Sequence, residues 1–108
     1  MKHVLLVQER FLALIEAGQK DLDIRVGYPS VQWIQPHQVL CFRCRSRARD
    51  VVVTAMRTYD SFEQMLECEN IQRIHSGMTP AQVLSLLRAL YPARLERLGV
   101  YVIEFRLA

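Results

Sequence analysis

The octapeptide Gly18-Gln19-Lys20-Asp21-Leu22-Asp23-Ile24-Arg25 decides how this chain folds. Residues 8–17 before it place Phe11, Leu14 and Ile15 on one side of a helix, and Gly18 is a helix stop. Beyond the glycine, charged and aliphatic residues alternate, which is the period of a strand over residues 22–26. Two residues apart on a strand, Asp23 and Arg25 project from the same face, and Asp21 is expected to share it. Lys20 sits at the turn. A cation, a carboxylate and a guanidinium held on a rigid element can bind a polar ligand or move a proton. The competing reading is an ordinary surface ion-pair ladder that merely closes a strand edge.

Outward from that stretch, residues 2–7 read as a first strand. Their apolar run stops at Gln8-Glu9-Arg10, too short for the h-region of a signal peptide, and the chain is expected to be cytoplasmic. No stretch approaches the roughly 20 apolar residues of a membrane span. Residues 27–30 form a turn that opens a loop carrying Trp33. Residues 39–44 and 51–57 are two strands, the second a β-branched, nearly continuous apolar run suited to a barrel wall. Ser61 with Gln64, and Thr79 with Gln82, are capping-box pairs that start two further helices, the second with Pro80 in its first turn. Val83, Leu86, Leu87 and Leu90 recur at helical spacing and are expected to face the core. Tyr91-Pro92 ends that helix, and residues 99–107 are a closing strand on which Tyr101 and Phe105 pack the barrel. Tyr59 and Phe62 are expected to brace the Ser61 cap from the core.

At 108 residues the chain is long enough for one core, and residues 1–108 read as a single domain. Strands interleaved with helices without a regular βαβ rhythm indicate a small α+β barrel. The net charge is +3, and twelve of the fourteen cations are arginine, whose planar fork suits phosphate and carboxylate. Arg43, Arg45, Arg47 and Arg49 would line one face at strand periodicity. That stripe can contact RNA backbone, with Trp33 or Tyr28 offering a base a stacking surface. Its alternatives are a charged hairpin edge that blocks aggregation, or a contact for an acidic protein partner.

Three cysteines, an odd number, fit a reducing compartment. Cys41 and Cys44 lie three apart within a strand and so point to opposite faces, and no second pair exists to complete a zinc site. No metal and no cofactor is expected. His3, His37 and His75 are scattered and are read as ordinary turn or core residues.

The octapeptide, as Gly-x-Lys-x-x-(Glu/Asp)-Ile-Arg after a helix, resembles the signature of the ASCH domains. Residues 34–42, with His37-Gln38 where that family usually has Gly-Asp, resemble its strand start, and residues 59–66 its Tyr, Ser-Phe, Leu helix start. Leu90-Tyr91-Pro92 and residues 99–105 resemble its closing helix and strand. The resemblance covers essentially the whole chain. It implies a PUA-like β-barrel of about five to six strands with two to three short flanking helices, and a cleft at Lys20, Asp23 and Arg25 that takes RNA or a nucleotide. It also implies an alternative. One bacterial branch consists of amidohydrolases acting on acetylated cytidine, whose lysine maps onto Lys20, whose threonine maps onto Asp23 and whose glutamate maps onto Gln82. Gln82 cannot serve as a general base, so catalysis would fall to Lys20 and Asp23, with Glu63 or Glu67 approaching from the preceding helix. Asp23 beside Lys20 keeps the amine charged and favours binding over nucleophilic chemistry.

Overall fold

The computed structural model of the protein describes residues 3–108. Met1 and Lys2, the latter read with the first strand, lie outside the described residues. Strand β1 (His3–Leu6) leads into helix α1 (Glu9–Glu16), which buries Leu12 and Ile15 and leaves Phe11 and Leu14 half-buried. The helix ends in a Schellman motif. Gly18, at φ +74°, lets its own N–H donate to Ile15 O (3.1 Å) while the Gln19 N–H reaches Leu14 O (2.9 Å). This reversal delivers Lys20 to the start of β2 (Leu22–Val26).

Residues 29–32 form a one-turn helix, α2 (Pro29–Gln32), where the sequence indicated a turn. Strand β3 (Val39–Cys44) turns through Arg45-Ser46 into β4 (Arg47–Tyr59), the longest element. Helix α3 (Phe62–Cys68) is capped by Ser61 Oγ, which accepts from the Gln64 N–H; the Gln64 side chain reaches back one residue further than a capping box, to Asp60 N. A second one-turn helix, α4 (Ile71–Ile74), was not legible in the sequence. Helix α5 (Pro80–Leu90) has the expected reciprocal Thr79–Gln82 box. A 3-10 turn (Ala93–Leu98) then leads into β5 (Val100–Leu107).

The strands form one sheet in the order β1-β3-β4-β5-β2, with β1 parallel to β3 and the other pairs antiparallel. This is a small α+β, PUA-like half-barrel of five strands, with more short helices around it than the two to three expected. Its two faces carry separate cores. Alternation along β5 sends Ile103 and Phe105 to the side covered by α1, with Leu5, Phe42, Val51 and Val53. Val100 and Val102 point to the other side, with Ile24, Phe62, Met65, Val83 and Leu87. A bulge at Thr54 shifts the β4 register, so that Val53 pairs with Phe105 and Ala55 with Glu104. Cα atoms have a radius of gyration of 12.9 Å, matching about 13 Å for one domain of this length. No helix among the described residues is long and apolar enough to cross a membrane.

Three expectations are corrected here. The arginine stripe is not one face. Arg45, at φ +57°, and Ser46 form a two-residue turn, so Cys44 lies opposite Arg47, Arg43 opposite Ala48 and Phe42 opposite Arg49. Arg47 and Arg49 therefore share the side of Phe42, Arg43 projects from the other, and Arg45 caps the turn. Arg47 is also engaged by Glu9 and Glu16 of α1. Next, Leu86 is only half-buried and Leu90 is exposed, because the face of α5 that carries them borders an open cavity rather than the core. Finally, Asp21 does not join Asp23 and Arg25. It precedes β2, and its carboxylate turns to Arg73, accepting from Nε (2.8 Å) and Nη2 (3.2 Å).

Candidate functional site

The sheet does not close. No described strand pairs with the outer edge of β2, and the gap between that edge and the end of β1 is bridged by one side chain: Arg25 Nη2 donates to Leu6 O (2.9 Å). A cavity of about 380 Å³ occupies this seam. Its walls come from residues 6–8, Phe11 of α1, residues 23–25 of β2, residues 74–75, and Val83, Leu86, Leu87, Leu90 and Tyr91 around α5. That three consecutive residues of β2 line it means the strand meets the cavity edge-on.

Lys20, Asp23 and Arg25 are brought together here, as the strand period requires. Lys20 and Asp23 are the only buried charged residues among those described, each 6 % exposed. Asp23 Oδ2 accepts from Arg25 Nε at 2.6 Å. Lys20 Nζ donates to Leu22 O (2.7 Å) and Ile74 O (2.9 Å) and lies 5.5 Å from the centre of the Phe11 ring. Burial pushes the Lys20 ammonium below its usual value of 10.5, against an opposing pull from Asp23; neighbouring Arg25 adds to the fall. Burial thus outweighs the pull of Asp23 on the Lys20 pKa. For Arg25, burial lowers the pKa but the Asp23 charge and hydrogen bond win, and the guanidinium is held protonated. Burial likewise raises the Tyr91 hydroxyl, which sits close enough to sense both Arg25 and Asp23.

A polar network on the opposite face of the sheet fixes the segment that Lys20 grips. Arg57 holds Glu69 through Nε and Nη2 (2.7 and 2.8 Å) and Glu104 through Nη1 (2.8 Å). Tyr59 donates to Glu69, and Arg73 bridges Glu104 to Asp21. Hydrogen bonds from Arg57 draw both Glu69 and Glu104 below the usual carboxylate range, against burial. With Asp21 N also donating to Arg73 O (3.1 Å), residues 20–22 are stitched to residues 73–74. Ile74 O is thereby presented to Lys20.

Other candidates fall elsewhere. Gln82 is exposed, does not line the cavity, and its Oε1 accepts from Thr79 N (2.9 Å). Glu63 pairs with Arg88 on the surface and Glu67 is exposed, so neither carboxylate approaches Lys20. Trp33 and Tyr28 are 75 % and 42 % exposed, flanking α2 at its two ends rather than on the arginine hairpin. The cysteines are separate free thiols, and among the described residues no three His, Cys, Asp or Glu side chains converge as metal ligands would. Three polar residues of the cavity, Gln8, His75 and Tyr91, escaped the sequence reading. The sequence marks Tyr91 only as a helix end. His75 follows the unforeseen α4; its Nδ1 lies 2.9 Å from Ser76 O and its ring packs edge-on against Phe11, centroids 5.9 Å apart. No local periodicity signals either.

No protein-family model and no curated protein matches the chain. Solved structures do. The crystal structure of hypothetical protein PH0355 is 29 % identical, with a TM-score of 0.91 and complete coverage of both chains. The solution structure of protein PF0455 from Pyrococcus furiosus is also 29 % identical, with a TM-score of 0.80 over 99 % of this chain and 97 % of that one.

Proposed function

We propose that this chain is an ASCH-type domain that binds a nucleoside, either free or as an unstacked base of RNA, in the seam cavity. The observation that carries this reading is the convergence of Lys20, Asp23 and Arg25 in an otherwise mostly apolar cavity of about 380 Å³. Small-molecule sites of this size combine an apolar wall with a few fixed polar groups that set orientation. The charge of the site favours a base over a phosphate. Asp23 offsets the Arg25 charge, and Lys20 Nζ is already held by Leu22 O and Ile74 O, so the cationic groups of the site are engaged within the protein. Aliphatic side chains of α5 and the Phe11 ring offer a flat heterocycle its contact surface. The split arginines of the β3–β4 hairpin support a secondary role in holding RNA backbone outside the cavity.

The test is a thermal-shift series with nucleosides, their 5′-monophosphates and short single-stranded RNAs, on wild type and Lys20→Ala. A ligand that binds the folded state alone raises Tm. A nucleoside that stabilises wild type but not the variant is the expected result. Stabilisation by RNA alone, equal in both proteins, would move the site to the hairpin.

One observation favours a second reading, an amidohydrolase acting on an acylated nucleoside. Leu22 O and Ile74 O take two Lys20 N–H donors, so a neutral amine would keep its lone pair as the remaining valence. In that role Lys20 takes a proton from water as the oxygen bonds to the acyl carbon, then returns it to the departing amine as the C–N bond breaks. Release of acetate from acetylated cytidine, lost in Lys20→Ala, would establish it.

A further inference from the structure

The nucleoside reading leaves His75 without a role, yet its imidazole lines the same cavity. Its tautomer is fixed by its surroundings. Nδ1 faces the Ser76 carbonyl at 2.9 Å, and a carbonyl only accepts, so in the neutral ring Nδ1 carries the proton. Nε2 is then a lone-pair acceptor. Among the described residues nothing donates to it, and no buried side-chain polar atom lacks a partner, so Nε2 opens onto accessible space. Edge-on packing against Phe11, at an interplanar angle of 88°, holds the ring in place. Lys20 Nζ donates to Leu22 O and Ile74 O, and Arg25 donates to Asp23 Oδ2 and Leu6 O. Asp23 Oδ2 is taken by Arg25 Nε, and His75 Nε2 adds an uncharged ring acceptor to the cavity wall beside the Asp23 carboxylate and the Tyr91 hydroxyl.

We propose that His75 Nε2 is the specificity-determining acceptor of the cavity, reading an N–H donor on the base of a bound nucleoside. The inference rests on the nucleoside reading above. An amino-bearing base satisfies Nε2, and a base with that nitrogen fully alkylated leaves it facing an apolar group.

The experiment measures affinity calorimetrically for cytidine and N4,N4-dimethylcytidine, and for adenosine and N6,N6-dimethyladenosine, on wild type, His75→Phe and His75→Gln. Phenylalanine keeps the edge contact with Phe11 and removes the acceptor; glutamine restores an acceptor at a similar reach. In wild type the amino nucleoside of at least one pair binds about tenfold tighter than its dimethyl form. His75→Phe removes that preference and His75→Gln recovers most of it. Any steric burden of the methyl groups persists in His75→Phe and so separates from the effect of the acceptor. A long-range 15N–1H spectrum of the wild type is expected to show Nδ1 protonated and Nε2 bare. Undiminished discrimination in His75→Phe, or a neutral ring protonated on Nε2, overturns the assignment while leaving nucleoside binding in place. If none of the four nucleosides binds wild type, the nucleoside reading fails and this proposal falls with it.

Discussion

Asp23→Asn removes the one carboxylate among the described residues of the cavity while keeping its shape. In the folded chain Asp23 faces Arg25 at 2.6 Å, with side-chain exposures of 8 % and 18 %. Losing one partner of a buried pair costs about 3–5 kcal/mol, chiefly because the other charge remains without compensation. Here asparagine still offers Arg25 Nε an oxygen, and Leu6 O still accepts from Nη2, so the loss should fall below that range, at about 2–3 kcal/mol. For a domain of this size that is a fall in Tm of about 10–15 °C. Burial also limits screening, so molar salt should change the difference little. A second effect follows from the same charge. Asp23 opposes the burial that lowers the Lys20 pKa, so without it the amine titrates lower still. Urea denaturation at low and high salt gives the first quantity, and NMR titration of the Lys20 side chain gives the second. A loss under about 1 kcal/mol, which would be typical of an exposed pair, or a Lys20 that titrates higher in Asp23→Asn, would refute the reasoning.

Further expectations concern single groups. The folded state lowers the Lys20 pKa while the unfolded chain keeps it near 10.4. Between those values the unfolded state binds more protons, so Lys20 makes stability rise with pH, and Lys20→Met should flatten that rise in urea melts between neutral pH and about 10. Glu69 and Glu104 behave in the opposite pH region: their folded pKa values lie below the unfolded value near 4.3. Their contribution is complete above that value and is lost as pH falls through the folded values, and Glu69→Gln should remove part of this acid slope. Gly27→Ala places a Cβ 2.2 Å from Leu98 O and 2.6 Å from Tyr101 Cε1. The backbone oxygen cannot step aside cheaply, so Tm should drop by about 5–15 °C, corresponding to about 1–3 kcal/mol of overpacking. By contrast, Glu63→Gln loosens only an exposed pair with Arg88 and should shift stability by less than about 0.5 kcal/mol in urea titration.

What the chain announces locally, it announces well. Gly18 after an amphipathic segment specifies the Schellman turn, and the charged–aliphatic alternation beyond it places Asp23 and Arg25 side by side. Thr79, Pro80 and Gln82 start α5 where the capping chemistry requires. The arginine hairpin misled because strand period was extended through a turn; one αL residue, Arg45, reverses the chain and redistributes the faces. Leu86 and Leu90 misled because helical spacing identifies an apolar face but not whether a core or a cavity lies against it. His75 and Tyr91 reach the site from a one-turn helix and from a helix terminus, with neighbours distant in sequence. Only the packing of α4 onto β2, through Arg73, Asp21 and the Lys20–Ile74 contact, brings the histidine's segment to the cavity.

The most direct measurement is a 15N–1H NMR titration of the full chain with the nucleoside giving the largest thermal shift, or with cytidine if none does. Binding in the seam predicts saturable shifts at Phe11, residues 20–25, residues 74–75 and residues 83–91, with the hairpin at residues 43–49 unmoved. Shifts confined to the hairpin, or none at millimolar ligand, would contradict the account.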